Sequence, residues 1–192
     1  MKLNITGQSP LIMHNGAASD PMHPLAKQLK AITSKRPKTD EDHFEISRIS
    51  WIAGLYLDSN GTIVLPGPNI FRALLNSARR VKKGPAVQGG VFVLGDAPLE
   101  YPGPRDLDAL WGNGDSIYVD RRPVVLKGNR VPGVRPIFPT WAASFDVEID
   151  ESIINFDDFV EIAERAGRVI GVGDFRPEKS GPYGRFTAEV VK

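Results

Sequence analysis

Apolar and polar residues alternate at both ends of the chain and fall at helical spacing between them. In "KLNITG", Leu3 and Ile5 alternate with polar neighbours up to Gly7, which predicts a first strand. "QSPLIMHNGAASDP" is a loop rich in small, turn-forming residues. Two helices are expected next, "PMHPLAKQLKAITSK" and "TDEDHFEISRISWIAGL", split at Pro37. Thr39 and Asp42 are set as the two ends of a capping box. "YLDSNGTIVLPG" reads as a hairpin turning at Asn60 and Gly61. "PNIFRALLNSARRVKK" is the clearest helix: Ile70, Leu74 and Ala78 recur at i, i+4 and i+8. Arg72, Asn76, Arg79, Arg80 and Lys83 mark its other face. "GGVFVLG" is a strand. Residues 101–140 are dense in Pro and Gly, and a basic hairpin within them is expected to turn at Gly128 and Asn129. In "WAASFDVEID", Trp141, Ala143, Phe145, Val147 and Ile149 point one way and the polar residues the other. Asn155 then caps a helix, and "RFTAEVV" is a last strand.

Strand-helix-strand thus appears near both ends, without the repeated parallel units of a dinucleotide-binding sheet. The pattern predicts an α+β fold. A ferredoxin-like core fits it, with a helical insertion at 21–54 and an irregular, hairpin-bearing insertion at 101–140. The whole chain, 1–192, is expected to form one such domain, a size that suits a single core.

Composition narrows the function classes. The chain has no cysteine, which excludes disulfides and thiolate metal sites and fits a reducing compartment. No run approaches the roughly 18 apolar residues of a membrane span, and the N-terminus lacks a signal-peptide core. The expectation is a cytoplasmic protein with no membrane partner. Net charge is only +1, yet the charge is divided. No acidic residue falls between Gly67 and Gly95, and Arg121, Arg122, Lys127, Arg130 and Arg135 crowd one hairpin with Asp120 as the nearby acid. Acidic residues collect at 40–45 and 146–164 instead. Two basic segments with so few acids beside them in sequence predict a polyanion-binding surface, although exposed cations on a helix are commonly just solvated.

The densest chemistry lies in residues 171–186, "GVGDFRPEKSGPYGRF". A dinucleotide loop needs a third glycine where Arg176 stands, and a following helix. A Walker loop needs Gly-Lys before Ser or Thr. Both are excluded. A surface turn is one reading. The other is a backbone lying flush against a polyanion: Gly173 and Gly181 let the chain approach a phosphate, and Arg176, Lys179 and Arg185 supply charge. Phe175 and Tyr183 are available to stack on bases, while Phe186 begins the last strand and suits the core.

Three segments resemble, in order, those of the RAMP superfamily, the ferredoxin-like RNA-binding subunits of CRISPR effector complexes. "LNITGQSPLIMHNG" is similar to the family's first strand and Pro-Leu loop. "TIVLPGPNIFRALLNSARR" is similar to its Pro-Gly segment entering a basic first helix. "IGVGDFRPEKSGPYGRFTAEV" is similar to its glycine-rich loop and last strand. In place of the family's usual Ser-Ser and Lys-Gly stand Pro68, Asn69, Phe71 and Arg72. The nearest subgroup is the backbone subunits that polymerise along a guide RNA, and the chain also resembles stand-alone bacteriophage proteins. The resemblance implies a modified RRM-like core, a thumb-like hairpin and a grip on a single-stranded backbone.

Cleaving members of that family carry an aspartate in the loop after the first strand, and Asp20 lies in the matching loop. Asp20 also directly precedes Pro21, the cap-then-proline pattern of a helix start. His14, Asp20 and His23 match no common metal-ligand spacing, so no metal is expected, and no nucleophile motif or cofactor fingerprint is present. The sequence therefore points to a non-enzymatic protein that binds single-stranded DNA or RNA and self-associates along it as a helical oligomer. The expected contacts are Arg72, Asn76, Arg79, Arg80, Lys83, Arg121, Arg122, Lys127, Arg130, Arg135, Gly173, Arg176, Lys179, Gly181, Tyr183 and Arg185. The rivals are an RNA endonuclease using Asp20 and a phage protein that mimics or blocks a host effector subunit.

Overall fold

A computed structural model of the chain describes residues 1–126 and 129–192, with side chains described outside 124–132. Along the chain run β1 (Lys2–Gly7), β2 (Leu11–Ile12), α1 (Pro24–Thr33), α2 (Asp40–Gly54), β3 (Val64–Leu65), α3 (Gly67–Arg80), α4 (Gly84–Gly90) and β4 (Val91–Val93). Then follow β5 (Ala97–Pro98), α5 (Leu107–Trp111), β6 (Val119–Leu126), β7 (Asn129–Phe138), β8 (Ala142–Ile149), α6 (Phe156–Arg165) and β9 (Phe186–Val191). The fold is α+β with antiparallel sheets.

The chain divides into two compact units. The first holds Met1–Leu11, Leu57–Pro102 and Pro139–Lys192; the second holds Ile12–Tyr56 and Gly103–Phe138. The two stretches read as insertions, 21–54 and 101–140, supply most of the second unit.

In the first unit a four-stranded sheet has the order β4-β8-β1-β9. The path is β1-α3-β4, then β8-α6-β9, so each helix joins two strands that are not neighbours. Alternation decides the faces. Leu3 and Ile5 of β1, Ala143, Phe145 and Val147 of β8 and Phe186 of β9 are buried. They meet Ile70, Leu74 and Ala78 of α3 and Phe159, Ile162 and Ala163 of α6, all buried as well. Each large side chain contributes about 1.5–3 kcal/mol by leaving water. Ser77 sits inside this layer and donates its hydroxyl to the Ile162 carbonyl at 2.9 Å, which offsets the desolvation of a buried polar group. The sheet's other face is largely polar, with Phe92 and Val191 exposed on it: Asn4 accepts from Ser144 at 2.7 Å, and Lys2 pairs with Asp146. An antiparallel sheet tolerates one solvated face of this kind.

Pro68 lies in the first turn of α3, where its missing N–H costs nothing. Arg79 and Arg80 occupy the last turn, beside the partial negative charge of the helix end. Asn155 caps α6 as expected, accepting from the Asp158 N–H at 2.8 Å. The 57–65 segment turns at Gly61, held by Asp58, but its second run pairs with β5 rather than extending a hairpin.

In the second unit α1 begins at Pro24, three residues later than expected, because the His23 Nδ1 accepts the Leu25 N–H at 3.3 Å and caps it. Asp20 does not cap that helix; its carboxylate accepts the Met22 N–H at 2.9 Å in a local turn. The capping box of α2 is complete, with Thr39 and Asp42 each accepting the other's N–H. Lys35 donates to Asp42 as well, and with the Thr39 N–H it holds the Asp42 carboxyl below the usual carboxylate range, at about 2. A depressed folded pKa contributes stability above the unfolded value, and that stability is lost as pH falls through the folded one. Asp42→Asn should therefore lower the melting temperature at neutral pH, with the difference from the parent closing between about pH 4 and 2. Thermal melts across that window check it; a difference that stays constant means that the ionised carboxylate contributes nothing.

The irregular stretch from 101 contains α5, capped by Asp106, and then the β6/β7 hairpin. Asn129 pairs with Leu126 as the first residue of β7, while Gly128, the other expected turn residue, lies outside the described residues.

Candidate nucleic-acid interface

In the first unit the outer side of α3 and the glycine-rich loop are fastened together by one carboxylate. The Asn76 Nδ2 donates to the Glu178 Oε1 at 2.7 Å, and the Arg176 Nη2 donates to the Glu178 Oε2 at 2.7 Å. The Arg176 Nη1 also donates to the Gly173 carbonyl at 3.0 Å, and the Arg79 Nη1 reaches the Asn76 Oδ1 at 3.4 Å. Glu178 is mostly buried, so these charge-assisted bonds are shielded from water and rigidify the loop. Asn76 and Arg176, expected as ligand contacts, thus bond within the chain and set where the loop lies.

Around this clasp Arg72, Arg79, Arg80, Lys179 and Arg185 are exposed, and no carboxylate among the described residues pairs with them. Lys83, expected in the same group, is instead ion-paired with Asp158 of α6. The local absence of acids around α3 does not preclude a partner from a distant segment.

The loop glycines answer to the loop itself. Gly173 has φ +77°, which a side chain rarely adopts. Gly181 has no such φ; a Cβ there would stand 1.7 Å from the Phe175 carbonyl oxygen. The missing side chain at Gly181, expected to make room for a phosphate, makes room for the loop's own backbone, which accounts for the glycine without a ligand. Phe175 is held at φ +50° and yet 43% exposed, an unusual combination for an apolar aromatic. Its ring lies 6.0 Å from that of Tyr183, the two planes tilted by 34°. Phe175 is the more exposed of the pair, so the outward ring is Phe175 rather than Tyr183.

The basic hairpin of the second unit is organised around Asp120, which is 5% exposed. It accepts from the Arg122 Nε at 2.7 Å and, across the strands, from the Arg135 Nη2 at 2.9 Å. Arg121 donates to the Gly114 carbonyl at 3.2 Å and its guanidinium lies 5.5 Å from the Trp111 ring centre. Arg121, Arg122 and Arg135 therefore hold the hairpin together instead of standing clear for a ligand. Lys127 lies outside the described residues, as does the Arg130 side chain. Asp120 is the residue that sequence reasoning undervalued: a lone acid among arginines is the signal for a buried counter-ion.

Asp20 is exposed and occupied by its turn bond. Among the described residues no three His, Asp or Glu side chains converge as metal ligands, and no helix is long and apolar enough to cross a membrane. In comparisons with known proteins, no family model matches the chain and no curated protein is significantly similar to it.

Proposed function

We propose that the chain is a RAMP-like protein that binds single-stranded nucleic acid through α3 and the glycine-rich loop of its first unit. The observation that carries this reading is the Asn76–Glu178–Arg176 clasp. It brings the exposed Arg72, Arg79 and Arg80 of the helix beside the loop that bears Phe175, Lys179 and Arg185. Cations that track a backbone beside an exposed ring are the usual elements of sequence-tolerant single-strand binding. The β-α-β-β-α-β path and sheet order of the first unit support a ferredoxin-like core of the RAMP kind. The sheet's solvated face carries Asn4, Ser144, Asp146 and Glu148, and among the described residues its one exposed ring is Phe92, opposite Glu148, rather than a row of stacking rings; this favours the helix-and-loop side over the sheet. In this reading successive copies add side by side along the strand.

Titration of labelled oligo-dT and oligo-U at several salt concentrations tests the binding, and electron microscopy of the mixtures tests the assembly. Absence of salt-dependent binding to either polymer sinks the reading. Phe175→Ala is expected to weaken binding about tenfold, the loss of one stacked base. Equal affinity in parent and variant would take Phe175 out of the interface.

A further inference from the structure

We propose that the solvated face of the first unit's sheet is a docking surface for a second copy of the chain, which seats its α3 and loop side there. One edge of that face is apolar. Phe92 of β4 is 50% exposed, and Leu94, directly after the strand, is 53% exposed. Phe92 stands opposite Glu148, and the Leu94 N–H donates to the Asp146 carbonyl at 2.8 Å, so both side chains lie on the face of Asp146 and Glu148. Neighbouring exposed apolar side chains with a charged rim are a feature of interaction surfaces.

The charge of the face selects the partner. Glu148 of β8, Glu189 of β9 and Glu100, which is bridged to Ala142, are exposed, and no described cation pairs with them. Lys2, the one cation among the strand residues of the face, is paired with Asp146. The helices cover the other side of the sheet, and their outer surface has the reverse charge. Arg72, Arg79 and Arg80 of α3 and Lys179 of the loop fastened to it are exposed beside Phe175, with no described carboxylate paired to them. Surfaces of opposite sign on opposite sides of one body cannot meet within the chain, but they complement each other between copies. Such a contact is heterologous: each copy seats its neighbour on one side and keeps the other side open, so copies stack head to tail. The stack takes the cations that a strand would cover, with carboxylates in the place of phosphates. Stacking and strand binding are therefore alternatives, and single-stranded nucleic acid dissolves the stack. The docking stands on the exposure and charge of the two surfaces; only the competition rests on the proposed strand binding.

Sedimentation of the full chain over a concentration series, at about 0.05 M and about 0.5 M salt, tests the docking. The parent should associate, and less so at the higher salt. Reversing the sheet face (Glu100→Lys, Glu148→Lys and Glu189→Lys together) should give a monomer, and so should reversing the helix (Arg72→Glu, Arg79→Glu and Arg80→Glu together), because each sets like charges against each other. An equimolar mixture of the two variants should associate again, a rescue that a misfolded variant cannot give. A parent that stays monomeric at both salts overturns the docking, as does a mixture that stays monomeric while both variants melt like the parent. If a reversed variant unfolds, Phe92→Ser, which removes only an exposed ring, should still weaken the association, and an unchanged association overturns the docking. A short oligo-dT should return the parent to monomers; strand bound with the stack intact overturns the competition. A stack in a parent that binds neither oligo-dT nor oligo-U supports the docking and refutes the strand-binding reading alone.

Discussion

Gly181→Ala should lower the melting temperature of the first unit by several degrees. The added methyl group would meet the Phe175 carbonyl oxygen at 1.7 Å, and a backbone oxygen held in a tight turn cannot swing away as a side chain tip can. Forcing atoms into a packed site costs about 1–3 kcal/mol. In a chain of this size each kcal/mol shifts the midpoint by roughly 2–4 °C. Gly89→Ala is the control: a Cβ there meets nothing within 4 Å, and alanine is the better helix former. Thermal melts of the two variants side by side decide the matter. If both melt with the parent, the loop has slack at Gly181, and the glycine has been kept for some other reason.

Replacing Arg72, Arg79 and Arg80 together with alanine should leave the fold intact and weaken single-strand binding roughly a hundredfold at 0.1 M salt. The three are exposed, so their loss removes no packing of consequence. Each phosphate contact to a single strand contributes about 0.7 to the slope of log affinity against log salt, and three contacts contribute about two units. The slope, measured by anisotropy over a salt series, is the diagnostic quantity. Merely structural damage would lower affinity at every salt concentration without flattening the line. An unchanged slope removes α3 from the interface, whatever happens to affinity. One competing use of Arg79 and Arg80 is their place at the end of α3, where a cation contributes about 0.3–1 kcal/mol to the helix; a small drop in melting temperature is compatible with both.

The parts of the fold that were legible in the sequence are those whose signal is local. Residues 142–149 alternate strictly, so their strand and its two faces follow from nearest neighbours alone, and Phe145 and Val147 are buried as their positions dictate. The helix over α3 and the capping box at Thr39 are local in the same sense. What depends on distant segments could not be read. Lys83 finds Asp158 only after α6 packs, and Arg135 meets Asp120 only through the register of the hairpin. The glycine at 181 fits a ligand's approach or the chain's own approach equally well until the position of the Phe175 carbonyl is known. The acidic face of the sheet draws Glu100, Glu148 and Glu189 from three distant segments, and none of these carries a motif by itself.

The central place of β1 in its sheet bears on how the protein is made. Its partners on either side are β8 and β9, so Leu3 must wait for Phe145 and for Val190 before its backbone is paired. The whole stretch from β1 to β9 has to leave the ribosome before β1 is paired on both sides. Contacts of such long sequence separation slow folding, because a large loop is closed before any contact rewards it. Until then Leu3 and Ile5 lie on an unpaired strand that any other extended segment can capture. Nascent chains should thus depend on holding chaperones up to the emergence of residue 191, whereas the β6/β7 hairpin, whose arms lie close together in the chain, is free to form while synthesis continues.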